Sequence, residues 1–127
     1  MAYKNPAAAY GQNKIQTATP AELTLMLYDG AIKFWNQAMV ACEQKDYYTT
    51  NEKIKRAKRI IIELKTTLNH KYEIAKEFDT IYDIILQYMI QSNTTKDMKD
   101  LEFVLGELRI IRDAWKEVMK NAKDPRI

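Results

Sequence analysis

Apolar residues recur along this chain at helical spacing, and in two segments they cover more of the helix than one core can use. At 100° per residue, Leu23, Leu25, Leu27, Tyr28, Ile32, Phe34, Trp35, Ala38, Met39 and Cys42 spread over roughly 200° of a helix. Ile74, Phe78, Ile81, Tyr82, Ile84, Ile85, Leu86, Tyr88, Met89 and Ile90 spread over roughly 240°. A core-facing stripe needs little more than about 100°. The surplus must be covered by something, and a partner is the expected cover.

Only three glycines and three prolines occur in 127 residues, most of them outside the periodic stretches, which favours long helices over a many-turned β fold. Thr19-Pro20-Ala21-Glu22 opens the first helix. Thr19 suits the cap, Pro20 the first helical position, and Glu22 the reciprocal capping-box acid. That helix is expected over about 20–43, with a turn at Lys45 and Asp46. A second is expected over 47–69, with a core stripe Tyr47, Thr50, Ile54, Ala57, Ile61, Leu64 and Leu68. A break at Asn69-His70-Lys71 precedes a third helix over 73–92. The polar run Asn93–Asp97 reads as a connection to a fourth helix over 97–121, striped by Leu101, Val104, Leu105, Leu108, Ile111, Trp115, Val118 and Met119. The chain is thus expected to be all-α, an antiparallel up-down-up-down four-helix bundle over 19–122. An irregular N-terminal arm (1–18) precedes it and a flexible tail (123–127) follows.

Composition narrows the function. With 46% apolar and 29% charged residues the chain reads as folded and soluble, and its net charge of +3 is too small to indicate nucleic acid. No apolar run approaches the length of a membrane span, and nothing resembles a signal peptide. Cys42, the single cysteine, excludes an intramolecular disulfide, fits a cytoplasmic home and reads as a buried structural thiol. His70 is the single histidine and falls at a helix end. One His and one Cys cannot build a zinc site or a di-iron bundle, and no phosphate loop or nucleophile elbow is present. No cofactor, metal or catalytic residue is expected, and no enzyme. The basic run Lys53, Lys55, Arg56, Lys58 and Arg59 reads first as a solvated face opposite the second helix's stripe, and next as a surface for an acidic protein.

The stronger signal is the apolar surplus. Ile62 lies off the second helix's core stripe. Ile84, Leu86 and Ile90 flank the third helix's stripe, and Phe103, Ile110 and Ala114 form a second line on the fourth. The candidate partner-binding residues are Ile62, Ile84, Ile90, Phe103, Ile110 and Ala114, lining a groove for an amphipathic helix. Tyr10 and Ile15 are apolar anchors on an otherwise polar arm, placed to strap the same surface. The competing reading is edge packing within the bundle, or a homodimer whose surplus faces pair with a second copy.

Several runs are similar to a known family. Ala9-Tyr10, Ile15 and Thr17 through Ala31, then Tyr82-Asp83, Asn93 and Asp97, then Leu101, Val104 and Glu107-Leu108-Arg109 followed by Arg112 through Lys116, resemble the flagellar secretion chaperone that serves flagellin. Order and spacing agree from Tyr10 to about Met119. Departures fall at Ser92-Asn93, where Ala-Asn is commoner, and at Ile110-Ile111. The resemblance implies a cytoplasmic, non-enzymatic four-helix chaperone. Its client would be the C-terminal region of flagellin, which is disordered when free and turns helical as it wraps the bundle. Binding would hold back filament assembly and keep the subunit fit for type III export. The export apparatus and the flagellar anti-sigma factor are further implied partners, and Tyr10 matches the family's partner-binding leader.

Overall fold

The structure, a computed structural model, describes residues 17–121. It contains four helices: α1 (Pro20–Glu43), α2 (Tyr47–Thr66), α3 (Ile74–Thr95) and α4 (Met98–Asn121). Each packs against its two neighbours, α1 on α2 and α4, α3 on α2 and α4, which closes the expected antiparallel four-helix ring.

Local chemistry sets the helix starts. Thr19 Oγ1 accepts the Glu22 N–H at 3.1 Å while Glu22 Oε1 accepts the Thr19 N–H at 2.8 Å, completing the capping box read from sequence. Asp46 caps α2 by accepting the Thr49 N–H at 3.1 Å, and this bond holds its carboxyl below the usual range. The α1–α2 turn is made by Lys45 in the left-handed region at φ 62°. Its N–H reaches Cys42 O and the Asp46 N–H reaches Ala41 O, both at 2.9 Å, satisfying carbonyls at the end of α1.

Two boundaries differ from expectation. Helix α2 stops at Thr66 rather than Asn69: the Thr67 N–H still reaches Glu63 O at 3.1 Å, but the Leu68 N–H turns to Lys65 O at 3.4 Å, so the ladder of bonds four residues back ends there. Helix α3 runs on through Thr95, so the polar run that reads as a loop is mostly helix. Ser92 and Thr94 bond carbonyls one turn back, Asn93 Nδ2 donates to Asn51 Oδ1 on α2 at 2.7 Å, and left-handed Lys96 ends the helix.

The core is built from the expected stripes. Trp35, Trp115, Tyr28, Tyr82, Ile54, Ile61, Ile85, Met89, Leu101 and Leu108 are all buried. Tyr47, expected on the α2 stripe, is instead exposed at the helix start, and Leu68, Val118 and Met119 are half-buried at the bundle's edge. The two tryptophans lock α1 to α4. Trp35 Nε1 donates to Leu101 O at 2.7 Å and Trp115 Nε1 to Ala21 O at 3.1 Å, and moving from one bond to the other advances equally along both helices. Inside, the Tyr28 hydroxyl bonds that of Tyr82 across the bundle from α1 to α3. Gly30 faces α2, and a Cβ there would make ordinary contact with Ile60 Cδ1 at 3.4 Å. Cys42 is buried, its thiol pushed up by that burial and directed at Lys96 O at 3.4 Å. No helix among the described residues is long and apolar enough to cross a membrane.

Candidate functional site

The wide apolar arc of α1 is largely absorbed. Leu25, Leu27, Phe34 and Met39 are half-buried against the core, and only Leu23 and Val40 are exposed among its large apolar side chains. The arc of α3 is not absorbed. Ile74, Ile81, Ile84, Tyr88 and Ile90 all remain exposed, as do Phe103 and Ile110 on α4.

These side chains divide between the two flanks of α3. On the α4 flank the Tyr88 and Phe103 rings meet edge to face, centroids 4.8 Å apart. Ile81 precedes Tyr88 by the same seven residues by which Ile110 follows Phe103. Because the helices are antiparallel, that spacing sets Ile81 level with Ile110 and Ile84 level with Glu107, and puts Ala114 one turn further on. The result is an apolar strip along the seam of α3 and α4. Depressions of about 470 Å³ (Asp83, Ile84, Gln87, Tyr88, Gln91) and about 280 Å³ (Tyr88, Gln91, Asp100, Phe103) open on either side of the tyrosine. Carboxylates border the strip at Glu77, Asp100 and Glu107, while Asp83, beyond Ile84, is paired with Lys65 of α2. Asp100 accepts from the Thr95 hydroxyl at 2.8 Å, and Arg112 turns away toward Asp29 and Asp113. The rim is therefore acidic.

On the α2 flank, Lys65 bridges Asp79 at 2.5 Å and Asp83 at 3.1 Å, and the two carboxylates raise its ammonium above the usual lysine value. Ile62 and Ile90 lie on this side. The bond between Asn51 and Asn93 fixes the same register as that between Lys65 and Asp79, and it sets Ile62 and Ile90 about two helical turns apart along the seam.

All six candidates on the helices are exposed, but they do not form one groove. Ile84, Phe103, Ile110 and Ala114 share the α3–α4 seam, whereas Ile62 and Ile90 belong to the α2–α3 seam. Sequence reasoning passed over Tyr88 and Ile81 at the centre of the first seam. The signal that marks them is the seven-residue step they share with Phe103 and Ile110. Tyr10 and Ile15 lie outside the described residues. His70 is exposed in the α2–α3 connection, and no group of three or more His, Cys, Asp or Glu able to hold a metal occurs among the described residues.

A family model described as flagellar protein FliS matches residues 3–122. The chain belongs to the FliS family. A flagellar secretion chaperone FliS from Bacillus subtilis is 40% identical over 126 residues, covering 99% of this chain and 95% of its own. That of Salmonella typhimurium is 32% identical over 114 residues, covering 87% and 84%. A crystal structure of a flagellar chaperone from bacteria superposes with a TM-score of 0.72 at 22% identity, over 92% of this chain and 97% of that one, a likeness in fold. The FliS family is one of chaperones rather than of enzymes, and the resemblance read from the sequence runs stands.

Proposed function

We propose that this chain is a cytoplasmic export chaperone for flagellin. It binds flagellin's C-terminal segment, prevents that segment from nucleating filament assembly, and keeps the subunit competent for flagellar type III export. Its action is binding alone, without a catalytic step. The observation that supports this reading best is the exposed apolar strip centred on Tyr88 and Phe103, in a chain whose relatives are secretion chaperones. A bundle with unfilled apolar seams offers an amphipathic segment the helix partner it lacks. Burial of apolar area drives the client's helix to form, and the entropy lost in ordering it keeps affinity moderate, so release needs no nucleotide.

The client covers both flanks of α3: one helical portion on Ile84, Phe103, Ile110 and Ala114, another on Ile62 and Ile90. Tyr10 and Ile15 of the leader take part in partner binding at the same surface. The export apparatus receives the loaded complex, and the flagellar anti-sigma factor is a second partner suggested by the resemblance.

Calorimetric titration of the full chain with an isolated flagellin C-terminal segment tests the reading, with size-exclusion chromatography before and after addition. The expected result is a saturable one-to-one complex and a gain of helical circular dichroism beyond the sum of the parts. A stable homodimer indifferent to the segment would overturn it, and would assign the apolar seams to a second copy.

A further inference from the structure

The face formed by α1 and α2 lies across the bundle from the α3–α4 seam and has the opposite chemistry. The basic run on α2 is largely exposed, as a solvated face would be, and two of its members also meet α1. Lys53 and Arg56 both turn to the α1 edge and stand over the half-buried Phe34 ring, Nζ at 5.7 Å and Cζ at 5.6 Å from its centroid. Among the described residues neither cation has a carboxylate within ion-pair distance. Lys55, one position from Arg56, is by contrast tied to Glu52 at 3.4 Å.

Immediately beside Lys53, toward the α1–α2 turn, a cavity of about 340 Å³ opens between Gln37, Val40, Ala41 and Thr49. Val40 is 55% exposed there, the most exposed large aliphatic side chain of α1. Asp46 also borders the cavity, but its carboxylate is engaged as the α2 cap through the Thr49 N–H.

We propose that this α1–α2 face is a second docking surface, for an acidic segment of a partner protein. The segment's carboxylates pair with Lys53 and Arg56, and an apolar side chain seats against Val40. Charge selects the occupant. Two cations held over an aromatic ring, with no carboxylate partner among the described residues, attract carboxylates, and the acidic α3–α4 strip would repel the same segment. Nucleic acid fits poorly, because Asp46, Glu52 and Glu63 interrupt the basic track and a phosphodiester chain has no use for an apolar seat. Since the two surfaces lie on opposite sides of the bundle, a client on α3–α4 and an acidic partner on α1–α2 can be held together.

The test uses two short synthetic amphipathic peptides with the same leucine stripe, one flanked by Glu and one by Lys, titrated into the isotope-labelled full chain by NMR. The Glu-flanked peptide is expected to shift the amides of Gln37, Val40, Lys53 and Arg56, and to weaken steeply with added salt. Its affinity should fall about tenfold or more in K53E/R56E, and also in the milder K53Q/R56Q should the reversal disturb folding. Both variants should bind the flagellin C-terminal segment as the parent does. Shifts confined to α3 and α4, equal binding of the Lys-flanked peptide at the same amides, or unchanged affinity in the folded variants would each overturn the proposal.

Discussion

Tyr88 on α3 and Phe103 on α4 meet edge to face with ring centroids 4.8 Å apart and planes at 62°, yet both rings remain substantially exposed. An aromatic pair in a bundle of this size is normally sealed into the core, as Phe78 and Trp115 are here. The Tyr88–Phe103 contact instead bridges the seam while leaving ring surface open above it. Such a pair is a ready anchor point for a docked helix, because it is already ordered before anything binds.

Phe103→Glu therefore separates binding from folding. The side chain is 46% exposed, so the charge remains hydrated and the bundle loses only the ring contact. Helical circular dichroism should be unchanged and the melting temperature should fall by less than about 8 °C, the shift expected for a loss of about 1 kcal/mol. Affinity for the flagellin C-terminal segment should drop by about 2 kcal/mol or more, roughly thirtyfold, as at an interface hot spot. Calorimetry decides it, and an unaltered affinity removes Phe103 from the site.

Leu108→Glu, five residues on, should do the reverse. Leu108 is 1% exposed within the core, and a carboxylate there has no partner. The expected loss exceeds about 4 kcal/mol, enough to abolish a cooperative urea transition in a domain of this size. A variant that still unfolds cooperatively near the parental midpoint would show that the core stripe of α4 is misplaced.

The contrast between Phe103 and Leu108 shows what was legible in the sequence. Period 3.6 sorts residues by face, and it placed Leu101, Val104, Leu105, Leu108, Ile111 and Trp115 inside and Phe103, Ile110 and Ala114 outside, as the structure has them. It does not say which neighbour each edge meets. That depends on register, fixed here by Trp35 on Leu101 O and Lys65 on Asp79, contacts between residues far apart in the chain. Hence periodicity alone puts Ile62 and Ile90 in one groove with Phe103, whereas they line the seam on the other side of α3. Polarity misled at Asn93–Thr95, where side chains that suit a loop bond to carbonyls within the helix and to α2 instead. That Lys53 and Arg56 also stand over Phe34 is not legible in the local pattern, because the ring belongs to another helix.

The Tyr28–Tyr82 hydroxyl pair makes stability depend on alkaline pH. Burial, foremost, pushes Tyr82 up to about 12 from an ordinary 10 and Tyr28 higher still, with the neighbouring Tyr82 hydroxyl adding to the rise at Tyr28. Between these values the unfolded chain releases tyrosine protons that the folded chain keeps. Stability is therefore full below pH 10 and falls as pH rises through 12. Lys65, also raised, contributes in the same direction. Tyr82→Phe alone should cost about 1–3 kcal/mol by stranding the Tyr28 hydroxyl, and the double Phe variant should lose less than the two singles summed. The double variant should also show a shallower decline of melting temperature above pH 10. Parallel declines in parent and double variant would rule out this pair as a source of the pH dependence.

Lys45 holds a left-handed backbone at φ 62° in the α1–α2 turn, a conformation that costs a residue with a Cβ about 1 kcal/mol and glycine almost nothing. Its N–H bond to Cys42 O needs no side chain. Lys45→Gly should accordingly stabilise the bundle by about 0.5–1 kcal/mol, read as a higher urea midpoint with an unchanged slope. A lower midpoint would mean that the lysine side chain stabilises this turn by more than its backbone strain costs.

Whether the client wraps α3 or fills a single seam is decided by pairing substitutions from its two flanks. Ile62 lies on the α2 side, beyond Lys65 and its bridge to Asp79 and Asp83, and Phe103 lies on the α4 side. A single helix in the α3–α4 seam would leave Ile62 uncovered, so Ile62→Glu would not alter affinity for the flagellin segment. A client covering both flanks makes Ile62→Glu costly by about 1 kcal/mol or more. Because the two sites share no contacts, that loss should add to the loss from Phe103→Glu within about 0.5 kcal/mol in the double variant. Calorimetric titration of the parent, both single variants and the double closes the cycle. Wrapping predicts two independent losses, and a silent Ile62→Glu confines the client to the seam of Tyr88 and Phe103.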